Sequence, residues 1–206
     1  MARLKVKKTT LYGFAVLALL LVGVGGFMAF QAPAKNALYD KVKNNLSITP
    51  VNVGDPAPEF EYKDEQGAVQ KLLDVEGQEL RLKDYDGQPR MIFFFATWCG
   101  SCIEKAPGLK AIYDKYQDQG LAFVGVSIDA SDPSDKVREF RDQYFGGTGR
   151  WAVDSYGTPI TFAYNVTNTS EMFLVDRDGR ITYAGFDYPE ALEARMLSTG
   201  FVAPVA

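Results

Sequence analysis

The residues best suited to chemistry are the two cysteines of the chain, Cys99 and Cys102, which follow Trp98 and enclose Gly100 and Ser101. The pattern predicts a buried strand before the pair and a helix opening at it. A helix N-terminus offers unpaired N–H groups and partial positive charge, which lower a cysteine pKa below its usual value of about 8.5. We therefore predict that Cys99 is the exposed attacking thiol and Cys102 resolves the mixed disulfide, with the enclosed dipeptide tuning the potential.

Other roles for the cysteine pair are less favoured by the composition. A purely structural disulfide across so short a loop would remove little entropy from the unfolded chain. A zinc site needs two further Cys or His ligands, and the chain has no histidine and no third cysteine. Redox chemistry without a dissociable cofactor is the main interpretation. Binding of Cu(I) by the two thiolates, completed by Met172 or by a partner protein, is the alternative.

Composition and charge limit the classes of protein that this chain can belong to. Of its 206 residues, 47% are hydrophobic and 23% are charged, which excludes a disordered, collagen-like or polytopic membrane protein. The absence of histidine excludes Ser-His-Asp triads and haem or copper sites that depend on imidazole. A net charge of −4 and an isoelectric point near 5.0 argue against nucleic acid as a partner.

The N-terminal region differs from the rest of the chain. Residues 1–35 contain five basic side chains and no acidic one, so the remainder carries a net charge of −9. Leu11–Phe30 is 20 residues long without a charge, enough for a helix of about 30 Å that spans a bilayer. The basic residues before it place the N-terminus in the cytoplasm. Ala32-Pro33-Ala34 resembles a signal-peptide cleavage site, but the apolar run exceeds the usual 7–15 residues.

These features predict a single-pass protein of the inner (cytoplasmic) membrane, with its folded domain in the periplasm or on the outer face. The expected organisation is a basic cytoplasmic segment over residues 1–10, a transmembrane anchor over 11–31, a tether over 32–53 and a folded domain over 54–206.

Hydrophobic periodicity predicts the elements that position the cysteines. Continuous apolar runs indicate buried strands and helical spacing indicates amphipathic helices. The expected strands are Glu59–Tyr62, Glu79–Lys83, Arg90–Ala96, Leu121–Ile128, Glu171–Val175 and Arg180–Gly185, and the expected helices are Gly100–Tyr116, Ser134–Phe145 and Pro189–Ser198. Alternating strands and helices followed by a hairpin predict an α/β fold with a central mixed sheet and helices on both faces.

Four segments resemble the thioredoxin superfamily, in particular its membrane-anchored TlpA/ResA-like thiol-disulfide oxidoreductases. They are Gly54–Phe60 (GDPAPEF), Phe95–Cys102 (FATWCGSC), Pro107 in the following helix and Phe173–Ile181 (FLVDRDGRI). The resemblance implies a thioredoxin-like three-layer fold whose cysteines cycle between dithiol and disulfide. It also implies protein thiol or disulfide substrates such as apocytochrome c, a transmembrane thiol carrier that supplies electrons, and in some relatives maturation of copper oxidase centres.

Three positions depart from the family pattern. Ser170, preceded by Thr169, stands where thioredoxin-like proteins have a cis-proline facing the cysteines. A cis bond before a residue other than proline costs about 2.5–4 kcal/mol, so we expect a trans bond and an altered substrate-docking loop. Lys105 replaces a glutamate and would favour the thiolate, unless it is an ordinary solvated helix residue. Phe93 replaces a buried aspartate, so that proton relay is missing.

The segment Tyr164–Phe173 is also similar to Sco-type copper chaperones. Those proteins bind copper through a CxxxC pair and a histidine, whereas this chain has a CxxC pair and Asn168 at the histidine position. Their usual ligand set is therefore absent. A Sco-like copper-handling module and an accessory subunit of a membrane respiratory complex with an idle CxxC stand as alternatives to the enzyme.

Overall fold

The computed structural model describes residues 51–63, 66–129, 131–154 and 159–205. The predicted cytoplasmic segment, the anchor and all but the end of the tether lie outside these residues. No helix within the described ranges has the length and apolar character needed to cross a membrane.

The folded domain is built on a five-stranded mixed sheet in the order β5-β4-β3-β6-β7, with β1 and β2 forming a separate antiparallel pair. Strand β3 pairs in parallel with β4 and antiparallel with β6. The strands are β1 (Glu61–Lys63), β2 (Val69–Lys71), β3 (Arg90–Phe95), β4 (Ala122–Ser127), β5 (Arg150–Val153), β6 (Glu171–Val175) and β7 (Ile181–Gly185). The helices are α1 (Gly100–Tyr116), α2 (Ser134–Phe145), α3 (Pro159–Ala163) and α4 (Pro189–Ser198), with short 3₁₀ turns at Leu82–Tyr85 and Gln117–Gln119.

The sheet separates two hydrophobic cores. One core contains both cysteines and the inner faces of α1, α2 and α4, with Trp151 packed edge-on against Phe95 at a centroid distance of 5.1 Å. The other contains Phe60, Leu80 and Tyr164 and is covered by α3 and the segments before β3. The parallel strands β3, β4 and β5 are joined by α1 and α2, and both helices pack in the same core and so lie on the same face. The predicted helices on both faces are confirmed, with three on one face and the short α3 on the other.

Several predicted elements match closely. The bounds of α1, α2, α4 and β6 are those expected from the sequence, and β3 and β4 are buried along their whole lengths. The predicted strand at Glu79–Lys83 is wrong. Glu79 makes only an isolated bridge to Leu73, and the chain then turns into the 3₁₀ helix, where the Arg81 guanidinium binds Asp84. Strand β2 forms earlier, in a stretch that we expected to be a connection.

Two further elements, β5 and α3, were not predicted. Strand β5 follows the glycine-rich connection at 146–149 and buries Trp151 against β4. The adjoining Gly125 on β4 leaves room for the indole ring. Helix α3 is followed by Tyr164, whose hydroxyl donates a hydrogen bond to the carbonyl of Pro58 at 2.7 Å.

The outer strands of the sheet are partly covered. Along β7, the Gly54 N–H donates to the Ile181 carbonyl at 2.7 Å, and the Ile181 N–H donates to the Asp55 carbonyl at 2.9 Å. Along β5, the Val75 N–H donates to the Trp151 carbonyl at 2.8 Å. The Gly54–Phe60 segment quoted above therefore begins the domain by pairing with an edge strand.

Candidate active site

Cys99 and Cys102 form a disulfide at the N-terminus of α1, with their Cα atoms 5.2 Å apart. Cys99 is the N-cap of the helix, and its sulfur accepts a hydrogen bond from the Cys102 N–H at 3.2 Å. Gly100 and Ser101 form the first turn, and the Ser101 hydroxyl lies 3.3 Å from the Cys99 sulfur. The Cys99 sulfur thus accepts one free N–H of the helix end, which stabilises a thiolate there after reduction.

Both cysteines are buried in the oxidised state. Cys99 is 4% exposed and Cys102 is fully buried in the core beneath α1. The prediction of an exposed Cys99 is therefore wrong for the disulfide form, because its sulfur is bonded to Cys102 and packed with the core. Cys99 is nevertheless the more accessible of the two residues.

Trp98 stands out from the surface directly before the disulfide. Its side chain is 66% exposed, so Trp98 does not belong to the core. The indole Nε1–H donates to Asp129 at 2.5 Å, and hydrogen bonds from Ser131 and from Trp98 lower the pKa of Asp129. The indole borders a cleft of about 370 Å³ whose opposite wall includes Asn168 and Thr169. The cleft thus begins at the residue directly before Cys99, although neither cysteine lines it.

A buried carboxylate fixes the segment between β3 and the cysteines. Asp132 is 6% exposed and accepts hydrogen bonds from the Thr97 N–H at 2.8 Å and the Thr97 hydroxyl at 2.5 Å. The Ser127 hydroxyl donates to the same carboxylate at 2.7 Å. Sequence reasoning missed Asp129 and Asp132. Their position just after a buried parallel strand was the available signal, because functional groups in open α/β sheets gather at the carboxyl ends of strands.

The loop before β6 lies opposite the segment that leads to the disulfide. Glu171 is paired with Phe94, and the same register places Ser170 opposite Phe95. No cis peptide bond occurs in the described residues, so the expected trans bond between Thr169 and Ser170 is confirmed. Ser170 is 4% exposed and has a φ of +66°, a left-handed conformation that is uncommon outside glycine. The loop therefore differs in its backbone from a cis-proline loop.

Lys105 is buried on the inner face of α1, one turn after Cys102. Its side chain is 2% exposed, so the alternative of a solvated helix residue is wrong. The ammonium donates to the Phe186 carbonyl at 2.6 Å and to the Ser170 hydroxyl at 3.2 Å, and it lies 5.1 Å from the centre of the Tyr188 ring. Burial lowers the pKa of Lys105, while the carboxylates of Asp187 and Glu104 oppose that shift.

Pro107, Phe93 and Glu171 occupy different parts of the domain. Pro107 lies on the exposed side of α1, which continues through it. Phe93 is fully buried and stacked on Phe95 at 5.6 Å, so an apolar ring occupies the position of the family's aspartate. Glu171 is 9% exposed on the opposite face of the sheet, and burial raises its pKa, against a hydrogen bond from the Thr167 N–H.

Within the described residues, no three or more His, Cys, Asp or Glu side chains are grouped so that they could hold a metal ion. A Cu(I) site would have to be built from the two reduced cysteines and a neutral ligand. Met172 belongs to the same core as the cysteines, but its side chain is fully buried. The copper alternative therefore remains a hypothesis from the sequence.

Comparison with known proteins extends these observations. Residues 52–194 match the Redoxin family. The chain is 29% identical over 175 residues to the thiol-disulfide oxidoreductase ResA of Bacillus thuringiensis (strain Al Hakam). The aligned region covers 85% of this chain and 87% of that protein. It is 32% identical over 133 residues to ResA of Geobacillus thermodenitrificans. This aligned region covers 65% of this chain and 68% of that protein.

Solved structures share the fold. The thioredoxin-family thiol:disulfide interchange protein of Chlorobium tepidum aligns with a TM-score of 0.57 at 19% identity, over 74% of this chain and 99% of its own. A secreted disulfide oxidoreductase of Mycobacterium tuberculosis aligns with a TM-score of 0.52 at 20% identity, over 63% of this chain and 95% of its own. The predicted thioredoxin-like fold is thus confirmed. Together with the Cys99–Cys102 disulfide at a helix N-terminus, these matches establish that the chain belongs to the Redoxin family and is a thiol-disulfide oxidoreductase of the ResA type.

Proposed function

We propose that this protein is tethered to the cytoplasmic membrane and exchanges its disulfide with cysteine pairs of proteins outside the cytoplasm, apocytochrome c among them. The observation that carries the proposal is the Cys99–Cys102 disulfide at the N-terminus of α1, which directly follows Trp98, a residue that borders a surface cleft. This arrangement combines a reactive sulfur pair with a surface that receives a protein segment.

The exchange proceeds in two displacements. In the reducing direction, the Cys99 thiolate attacks one sulfur of a substrate disulfide, that bond breaks, and the other substrate sulfur leaves as a thiolate. The Cys102 thiolate then attacks the Cys99 sulfur, forms the internal disulfide and releases the second substrate sulfur. Two electrons pass to the substrate, whose thiolates take up the two protons that the cysteines released. A transmembrane thiol carrier returns two electrons, and the reverse steps oxidise a dithiol.

The charges around the site favour a basic substrate segment. Glu104 is exposed on α1, Asp129 borders the cleft and Asp187 lies just after β7. Acidic groups around a binding surface attract basic partners and repel acidic ones. Haem-attachment segments of c-type cytochromes carry two cysteines in a C-x-x-C-H motif, which supplies the disulfide or dithiol that the exchange needs.

The tether rests on the sequence pattern of the N-terminal region. The uncharged run Leu11–Phe30 has the length of a membrane span, and the basic residues before it favour a cytoplasmic N-terminus. A reporter enzyme active only outside the cytoplasm, fused after the last residue, tests this topology. We expect activity for the full chain and its loss when Leu11–Phe30 is deleted. An inactive reporter on a stably produced full-length fusion would contradict the proposed location.

The activity is tested by the reduction potential of the full chain in detergent, by equilibration with glutathione or dithiothreitol and thiol trapping. A value near −270 mV would make the protein a reductase fed by the membrane carrier, and a value near −120 mV would make it an oxidant. The absence of any reversible two-electron couple would overturn the proposal.

Substrate capture separates apocytochrome c from other partners. Cys102→Ser should accumulate a mixed disulfide between Cys99 and the substrate, because the resolving sulfur is missing. Cys99→Ser is the matched control and should capture nothing. We expect Cys102→Ser to trap a disulfide-containing C-x-x-C-H peptide with basic flanks in preference to the same peptide with acidic flanks. Equal trapping of both peptides would contradict the proposed substrate class.

A further inference from the structure

We propose that Lys105 is the residue that stabilises the thiolate of the buried Cys102, and that its charge makes the disulfide easier to reduce. The inference rests on the proposed exchange reaction and assigns a positioning residue to it. It concerns the second sulfur of the pair, whose surroundings differ from those of Cys99.

Cys102 must carry a negative charge in either direction of the exchange. It is the attacking thiolate when the mixed disulfide is resolved, and it is the leaving thiolate when a substrate attacks Cys99. Its side chain is fully buried in an apolar core that includes Phe93 and Ala106. Burial in such surroundings disfavours a thiolate and raises the pKa of a thiol. A compensating positive charge is therefore needed near this sulfur.

Two basic side chains are buried in the described part of the chain, Arg90 and Lys105. Arg90 begins β3, at the opposite end of the strand from the cysteines, and its guanidinium is bound to Asp86 at 2.7 Å. Lys105 follows Cys102 by three residues on the inner face of α1. Residues with this spacing lie side by side on a helix, with Cβ atoms about 5–6 Å apart. Lys105 is thus the cation placed to act on Cys102.

The hydrogen-bond acceptors of Lys105 are uncharged. They are the Phe186 carbonyl and the Ser170 hydroxyl, and the Tyr188 ring lies beside the ammonium. These groups hold the ammonium in place without cancelling its charge. In a site of low effective dielectric constant, an ammonium without a directly bound carboxylate exerts a strong field on its neighbours.

The carboxylates nearest to this ammonium have other partners. Asp187 binds Arg195 at 3.1 Å, and its backbone N–H donates to the Tyr183 hydroxyl at 2.8 Å. Glu104 accepts a hydrogen bond from the Tyr188 hydroxyl at 3.1 Å. Glu171, which follows Ser170, faces the other side of the sheet. Asp187 and Glu104 therefore moderate the field of Lys105 without pairing with it.

A purely structural role for Lys105 makes a different prediction. Its contact with Ser170 links α1 to the loop opposite Phe95, so its loss could loosen the site without any electrostatic effect. The two roles separate in their pH dependence. A neighbouring cation stabilises a thiolate but does not stabilise a protonated thiol.

The test compares Lys105→Met, Lys105→Arg and the matched control Lys110→Met, which removes a partly exposed lysine five residues further along α1. The reduction potential and melting temperature of each full chain are measured in detergent from pH 5 to 8. At pH 7 we expect Lys105→Met to lower the equilibrium constant for reduction of the disulfide about tenfold. This corresponds to a reduction potential about 30 mV more negative. Lys105→Arg and Lys110→Met should keep the wild-type potential. The difference should close as the pH falls toward 5.

An unchanged potential in Lys105→Met, or a shift of equal size at every pH, would overturn the inference. If Lys105→Met does not fold, the reduction potential of the variant Asp187→Asn tests the inference instead. This variant removes a carboxylate that opposes the field of Lys105, so the potential should become less negative, and an unchanged or more negative value would overturn the inference. The absence of a reversible couple in the wild-type chain would instead overturn the proposed function.

Discussion

Asp132 accepts two hydrogen bonds from Thr97, one from the backbone N–H at 2.8 Å and one from the hydroxyl at 2.5 Å. The two residues are 35 positions apart, so the contact joins the segment after β4 to the segment that carries Trp98 and Cys99. It fixes the start of α1 from outside the helix.

Replacing this carboxylate should weaken both the fold and the reaction. Asp132→Ala leaves three donors of Thr97 and Ser127 without their acceptor, and unsatisfied buried polar groups cost about 1–3 kcal/mol each before water enters. We expect the free energy of unfolding to fall by about 2–4 kcal/mol and the rate of disulfide exchange to fall with it. Denaturant titration and an exchange assay measure both. Asp142→Ala, on the exposed side of α2, is the control, and equal stability of the two variants would contradict this role.

Trp98 should contribute to substrate binding more than to stability. Because its side chain is 66% exposed, Trp98→Ala should change the free energy of unfolding by less than about 0.5 kcal/mol. Loss of an aromatic contact at an interface should raise KM for a protein substrate about tenfold, with the reduction potential unchanged. Trp98→Phe, which keeps an aromatic ring but not the N–H bound to Asp129, should retain most of the affinity. A normal KM for Trp98→Ala would remove Trp98 from the binding surface.

Glu171 should make stability depend on pH. Burial raises its folded pKa above the ordinary value of 4.5, so the unfolded chain loses the proton first as the pH rises. The contribution of Glu171 to stability is therefore greatest below pH 4.5 and declines as the pH rises from there through the folded pKa. Glu171→Gln should remove this decline and be more stable than wild type at pH 7, as followed by denaturant titration between pH 4 and 7. The exposed control Glu190→Gln should show the same decline as the wild type. If stability falls with pH as steeply in Glu171→Gln as in the wild type, Glu171 is not its cause.

Gly108 permits the close packing of α1 against α4. A Cβ atom at this position would lie 2.5 Å from Cγ and 2.7 Å from Cβ of Pro189. Alanine is favoured over glycine within a helix by about 1 kcal/mol, but overpacking against a rigid ring costs about 1–3 kcal/mol. We therefore expect Gly108→Ala to destabilise the domain. In a double-mutant cycle, Pro189→Gly, which removes both of these ring atoms, should recover much of the loss, and additive effects of the two changes would show that the helices do not touch here.

The sequence predicts those elements whose pattern is strong over many residues. The bounds of α1, α2 and α4 are predictable because apolar residues recur at helical spacing over ten or more positions. The four residues of β5 are too few for such a signal. At Glu79–Lys83, the alternating Leu80 and Leu82 imitate a strand because both are buried, although the chain is turning into a 3₁₀ helix.

At the site, the sequence identifies residues whose chemistry is local to the motif. Cys99, Cys102 and Trp98 are adjacent along the chain, and their setting between a strand and a helix is visible in the pattern. The burial of Lys105 is not visible, because it depends on Ser170 and Phe186, which come from other elements. The carboxylate of Asp132 is hidden for the same reason.

The pairing of Gly54 and Asp55 with β7, and of Val75 with β5, bears on solubility. An uncovered edge strand can add the strand of a second molecule and start an aggregate, and a short covering segment blocks that growth. On the proposed membrane tether, neighbouring chains would meet each other more often than chains free in solution. The two covering segments therefore protect the edge strands from pairing with a second molecule. Their removal should lead first to intermolecular sheet formation rather than to loss of the disulfide.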